Sequence, residues 1–272
     1  MNVDVKKYSK IAIWFLKRPF LYPEAIRRIK NIVFRTHCLP ARQEEAKAYC
    51  QKIAISTKAA YTLLTGQDTP TSVYKIFPEI FKQSKQKEKK CPIKLGKAGD
   101  LDLLYWLAEF VKAKYVIETG VASGWSTLAL LLSLSRQKES KLISTDMPCF
   151  GQDAETEGLS SDSYVGYVVP SNLQSNWKLI RQADHDALPK ALKICPQIDL
   201  CHYDSDKRYE GRMWSYPLLW SALREGGIFI SDDIGDNMAF FDFCDQIQKE
   251  PVIIKFVETN KNVKYIGVIR KQ

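Results

Sequence analysis

The sequence predicts an α/β domain built on a mostly parallel sheet and preceded by a helical N-terminal region. Two observations carry that prediction. From Asp100 onward, short apolar runs of strand length alternate with helical patterns, the signature of right-handed βαβ units. Four of those runs also deliver carboxylates at their carboxyl ends. KYVIE ends on Glu118, KLIST precedes Asp146, QIDLCHY precedes Asp204, and GIFIS precedes Asp232 and Asp233. The carboxyl ends of parallel strands form the rim at which open α/β sheets bind ligands. Carboxylates gathered there repel one another unless a cation or hydroxyl donors sit among them. This rim therefore reads as a binding site.

The elements follow in order. Residues 1–90 form a basic N-terminal region, and residues 1–65 of it read as helices: YSKIAIWFLK, then PEAIRRIKNIVF after Pro23, then ARQEEAKAYCQKIAISTKAAYTLL, ended by Gly66 and Pro70. KQSKQKEKK (82–90) reads as a solvated, charge-rich linker with a domain boundary near 90. Asp100 is placed to cap the helix LDLLYWLAEFVKA, whose Leu103, Leu104, Leu107 and Val111 share one face. Strands are expected at KYVIET, KLIST, WKLIRQ, QIDLCHY, GIFIS, PVIIKFV and KYIGVIR. Helices are expected at WSTLALLLSLS, HDALPKAL, EGRMWSYPLLWSALR and NMAFFDFCDQIQ. Too few residues separate the last two strands for a crossover helix, so they should pair antiparallel. Glu225-Gly226-Gly227 reads as a turn before the fifth strand, and Trp214, Tyr216 and Trp220 as core.

Composition narrows the function classes. Hydrophobic residues make up 45% and charged residues 26%, ordinary values for a globular domain. The seven cysteines include no CxxC pair, which points to reduced thiols, no zinc site and a cytoplasmic setting. No apolar stretch is long enough to span a membrane, and IAIWFL lacks the flanks of a secretory signal. The net charge of +9 is unevenly spread: residues 1–99 hold 21 basic and 7 acidic side chains, so the remainder is acidic. A basic N-terminal third and an acidic body call for separate explanations.

A dinucleotide fingerprint reads GxGxxG with an acid downstream. Here the acid comes first and the glycines are spaced G-x-x-x-G. The segment ETGVASGWS, with Glu118, Gly120, Gly124 and Ser126, resembles the first motif of class I S-adenosylmethionine-dependent methyltransferases. That resemblance implies a Rossmann-like seven-stranded sheet over residues 91–272, mostly parallel with an antiparallel last strand. It also implies S-adenosylmethionine as cofactor. Asp146 takes the place of the acid that binds the ribose hydroxyls, and Asp184 and His185 fall where the family contacts adenine.

Asp204-Ser205-Asp206-Lys207, followed by Asp232-Asp233, is similar to the metal-dependent O-methyltransferases of the catechol and caffeoyl-CoA types. It is similar also to the sugar and macrolide O-methyltransferases and the cephalosporin-hydroxylase-like group. The resemblance implies Mg²⁺ or another divalent cation held by Asp204, Asp232 and Asp233. It makes Lys207, three residues after Asp204, a candidate general base; a histidine or an aspartate is an alternative. Without the resemblance, Lys207 reads equally as an ion-pair partner of Asp204 or Asp206, and His202 as a structural histidine within its strand. The implied activity is methylation of a hydroxyl on a small molecule.

Two rivals stay open. A nucleic-acid methyltransferase could use the basic N-terminal third on phosphates, but YDSDKRY stands where amino-group methylases carry an Asn/Asp-Pro-Pro-aromatic motif. A non-catalytic role for residues 1–90, on a partner or an anionic membrane surface, fits the basic segment KKYSKIAIWFLKR. Otherwise those helices are expected to cap the substrate entrance or to pack between subunits of a homo-oligomer. The long loop at 147–170 reads as a lid beside the ribose position.

Overall fold

The computed structural model describes residues 12–34, 40–93, 95–96, 99–148, 161–258 and 261–272. Seven strands form one sheet: β1 (Tyr115–Thr119), β2 (Lys141–Thr145), β3 (Trp177–Ile180), β4 (Ile198–Tyr203), β5 (Leu223–Ser231), β6 (Val252–Val257) and β7 (Val263–Arg270). Their order is β3-β2-β1-β4-β5-β7-β6. The first five run parallel, while β7 lies antiparallel between β5 and β6. The chain starts at the centre with β1, steps outward to β3, then returns to β4 on the other side. Between β1 and β4 the connections leave in opposite directions, and a crevice opens there at the carboxyl edge.

Both faces are covered. On one, the helices Leu101–Phe110 and Trp125–Leu134 pack their leucines against Val116, Leu142, Leu200 and Ile228. On the other, Tyr209–Ala222 and Ala239–Gln246 bring Tyr216, Leu219, Phe240 and Phe243 against Cys201, Tyr203 and Phe229. Tyr216 is buried, and its hydroxyl meets Ser231 Oγ at 2.7 Å. Asp100 caps its helix as expected, accepting from the Leu103 amide at 3.1 Å.

Three expectations are corrected. The long N-terminal helix is two helices, Pro40–Ile53 and Thr57–Thr65. Between them Ile55 is extended and bridges Ile254 of β6, with amide hydrogen bonds of 2.9 Å in both directions. Ser56 then caps the second helix through the Ala59 amide. A β-branched residue flanked by a capping serine favours the edge strand over a continuous helix.

The stretch 82–90 is not a solvated linker but the greater part of the helix Pro78–Lys90. Ser84 is buried and donates to the Val168 carbonyl, Lys87 donates to the Val169 carbonyl, and Glu88 accepts from the Trp125 indole at 2.7 Å. Lys82, Lys85, Lys89 and Lys90 are exposed on a helix that Ser84, Lys87 and Glu88 fasten to the body. Finally, Gly226 and Gly227 lie inside β5 and not in a turn before it. They form an irregularity in the pairing with β4, locked to Lys271 by main-chain hydrogen bonds.

The docked helix yields a stability test. Ser84→Ala removes the hydroxyl that donates to the buried Val168 carbonyl and should cost on the order of 1 kcal/mol. Denaturant unfolding measures this; an unchanged midpoint would mean that 82–90 contributes no packing.

Candidate active site

β1 and β4 remain hydrogen-bonded just beyond their carboxyl ends. The Asp204 amide donates to the Thr119 carbonyl at 2.9 Å. Gly120 takes up a left-handed backbone (φ 80°), and a Cβ there would strike the carbonyl of Asp204. Only glycine meets both demands. Gly124, also left-handed (φ 95°), begins the helix Trp125–Leu134, and the backbone of Gly166 passes where its side chain would be. The segment that returns from the expected lid thus closes against Gly124. Residues 149–160 of that lid lie outside the described residues.

Glu118 is fully buried behind this turn. Its Oε2 accepts from Thr127 (2.7 Å) and Ser144 (2.6 Å), and Ser144 is itself held by the Trp177 indole at 2.9 Å. Ser126 adds a further hydroxyl. Burial pushes the Glu118 carboxyl above its ordinary range, against the pull of His202 and these hydroxyls. Its other oxygen, Oε1, has no hydrogen-bond partner and lies 3.9 Å from the equally unpartnered His202 Nδ1.

A cavity of about 450 Å³ covers the rim. Of the residues singled out in the sequence, Gly120, Ser126, Asp146, Asp184, His185, Asp204 and Asp232 line it; Glu118 and Gly124 support its wall from behind. Asp146 Oδ2 accepts from the amides of Val121 (3.0 Å) and Ala122 (2.9 Å), and Oδ1 pairs with Arg181 at 3.1 Å. Asp184 accepts from Ser205 (2.6 Å) and Tyr203 (3.2 Å), while burial lifts its carboxyl to about 6. The His185 ring stacks on Trp214, centroids 3.7 Å apart, and burial followed by Arg27 pushes its pKa down. Trp214 is thus a support for a wall residue in addition to core.

The other end of the cavity departs from expectation. Asp204 and Asp232 face inward, but Asp233 does not join them. The Asp233 backbone is left-handed (φ 52°), and its carboxylate pairs with Lys207 at 2.8 Å and Lys264 at 3.3 Å. Lys207 also pairs with Asp204 Oδ1. Asp232 lies 3.8 Å from His202 Nε2. Among the described residues, no three His, Cys, Asp or Glu side chains converge as a metal site. Of the three carboxylates expected to hold a cation, Asp204 and Asp233 carry lysine partners here, Lys207 on both and Lys264 on Asp233. Burial opposes the charge of Lys207, while Asp204 and Asp233 beside it raise its pKa, so these contacts favour its charged form.

Sequence reasoning missed Lys264, which enters the cavity from β7, and Arg212. Arg212 is fully buried and donates to the carbonyls of Asp232 (3.1 Å) and Asp233 (2.9 Å), fixing the turn that separates their side chains. Lys264 had a weak signal, a lysine opening an apolar strand; Arg212 had none, since a helical arginine ordinarily faces solvent.

Asp184 gives a pH test. Its native pKa of about 6 exceeds the unfolded value, so between roughly pH 4 and 6 the native state keeps a proton that the unfolded chain has released. Stability contributed by this group therefore falls as pH rises through that window. Asp184→Asn should raise the melting temperature at pH 7.5 and leave it nearly unchanged at pH 4, a gain on the order of 1 kcal/mol. Equal shifts at both pH values would contradict a raised carboxyl.

A family model described as a methyltransferase domain matches residues 117–234, the stretch from β1 to the turn after β5. No curated protein sequence matches the chain. Among solved structures, the O-methyltransferase from Bacillus cereus in complex with SAH is 13% identical, with a TM-score of 0.52, and the match covers 82% of this chain and all of that one. A Klebsiella pneumoniae protein provisionally assigned as an O-methyltransferase is 14% identical, with a TM-score of 0.53 and the same coverage. At such identities the likeness is one of fold. Residues 117–234 thus match a methyltransferase domain, and the chain shares the fold of these O-methyltransferases.

Proposed function

We propose that the enzyme moves a methyl group from S-adenosylmethionine to a hydroxyl oxygen of a small molecule. The observation that carries this is the continuity of the cavity. One end is lined by Asp146, Ala183, Asp184 and His185, the other by Asp204, Asp232 and Lys264. The first end suits the cofactor: Asp146 can accept from ribose hydroxyls, and Met147 and His185, which also line the cavity, offer an apolar and a flat surface for a base. The structures to which the fold is similar include one with the demethylated cofactor bound, which supports the same reading.

The second end then takes the acceptor. Asp204 or Asp232 accepts the hydroxyl proton, while the Lys264 ammonium stabilises the oxyanion that develops. That oxygen attacks the sulfonium methyl from behind: the O–CH₃ bond forms, the S–CH₃ bond breaks, and the sulfonium charge disappears. Such a transfer needs little covalent help, so orientation and fixed charges supply the rate. Lys207 and Lys264 hold Asp204 and Asp233, two of the three carboxylates a divalent ion would take, so in this reading the lysines supply the positive charge.

Two measurements bear on this reading. Asp146→Ala should weaken S-adenosylmethionine binding at least about tenfold by calorimetry, since ribose donors left unpaired cost ~1–3 kcal/mol. Unchanged affinity would place the cofactor elsewhere. In a screen of phenolic, sugar and polyketide hydroxyls, methyl transfer should persist in EDTA. Transfer abolished by EDTA and restored by Mg²⁺ would show that the lysines yield to a metal held by Asp204, Asp232 and Asp233.

A further inference from the structure

The helix Tyr22–Phe34 is amphipathic in the inverted sense. A surface helix ordinarily turns charge to water and apolar residues to the core. Here the residues facing the body are Leu21 and the charged groups Glu24, Arg27 and Arg28. Glu24 is 3% exposed and accepts from Arg27 (3.0 Å), Arg28 (2.7 Å) and Arg208 (3.1 Å), while Arg27 also reaches Asp186 at 2.7 Å. The residues facing out are Tyr22, Ile26 and Ile29, spaced by four and three along one stripe, with Ile26 66% and Ile29 61% exposed. The preceding segment continues the surface with Ile13, Leu16 and Phe20, each more than half exposed. It is no loose end, since Trp14, Phe15 and Leu21 pack into a cluster that reaches Met147.

The charge around this face selects its partner. Lys17 and Lys30 are exposed beside it, Lys30 one turn beyond Ile26. Between residues 12 and 30 the only acid is Glu24, which is buried and faces inward. A second copy docked by twofold symmetry would set lysine against lysine with no acid to pair them. An apolar stripe flanked only by cations instead matches a bilayer surface carrying anionic headgroups. No described helix is long and apolar enough to cross a membrane, so the segment lies on the surface.

We propose that the outer face of residues 13–30 rests on an anionic membrane surface. Glu24 and Arg28, on the inner side of the same helix, line the cavity, so docking holds the cavity beside the bilayer. The test is co-sedimentation of the full chain with phosphatidylcholine vesicles, with and without phosphatidylglycerol. Binding should require phosphatidylglycerol and weaken with salt. The double variant Ile26→Glu/Ile29→Glu should lower partitioning by roughly tenfold or more, with far-UV circular dichroism unchanged. Lys17→Glu/Lys30→Glu, at two fully solvated positions, should weaken it as well and guards against a folding defect in the first variant. Absence of the wild type from both vesicle pellets, or partitioning of both variants equal to that of the wild type, overturns the proposal. So does a dimer by light scattering that Ile26→Glu/Ile29→Glu converts to monomer without any vesicle binding, which would assign the face to a second copy.

Discussion

A fully buried carboxylate at the end of β1 is the constraint around which the site is organised. Placing Glu118 out of reach of water costs several kcal/mol unless donors meet it. The donors come from separate elements: Thr127 from the helix after the glycine turn, and Ser144 from β2, with Trp177 of β3 holding Ser144. One side chain thereby ties three strands and a helix together beneath the turn Gly120–Gly124. The remaining oxygen faces His202, whose far nitrogen faces Asp232. An acid–imidazole–acid row of Glu118, His202 and Asp232 therefore runs from behind the glycine turn to the cavity wall. Asp232 outweighs the burial that would keep the imidazole neutral and raises its pKa. The imidazole thus moderates repulsion between acids that the fold places close together.

The strands and most helices were legible because their signals are local. Alternating element lengths, the capping Asp100 and the short β6–β7 connection each depend on a few neighbouring residues. The carboxylates at strand ends were legible for the same reason, since the end of a strand is a position in sequence. The breaks in the reading have a common origin in tertiary contact. Ile55 leaves a good helical pattern because β6 offers it a main-chain partner. KQSKQKEKK is charged on most sides, yet Ser84 alone, facing Val168, suffices to lay that helix on the body. Gly226 and Gly227 read as a turn because nothing local distinguishes a turn glycine from one at a strand irregularity.

The acceptor end shows most clearly what spacing cannot convey. Asp232 and Asp233 are adjacent, and their order matches a metal-binding pattern, but direction depends on backbone conformation. With Asp233 left-handed and Arg212 gripping both carbonyls, the two carboxylates diverge: one enters the cavity and the other joins the lysines. Three elements distant in sequence cooperate in this, since Lys207 follows β4, Arg212 lies in the next helix and Lys264 arrives on the antiparallel β7. Burial alone would push the Asp233 carboxyl up, but Lys207 and Lys264 outweigh it and hold the group below its usual range, so it remains an anion. An acidic rim that looks overcharged in sequence is thus largely compensated in space, and its cations are fixed parts of the chain. At this end of the cavity Asp204, paired with Lys207, and Asp232 are the carboxylates that face inward, the pair assigned above to the acceptor in the proposed reaction.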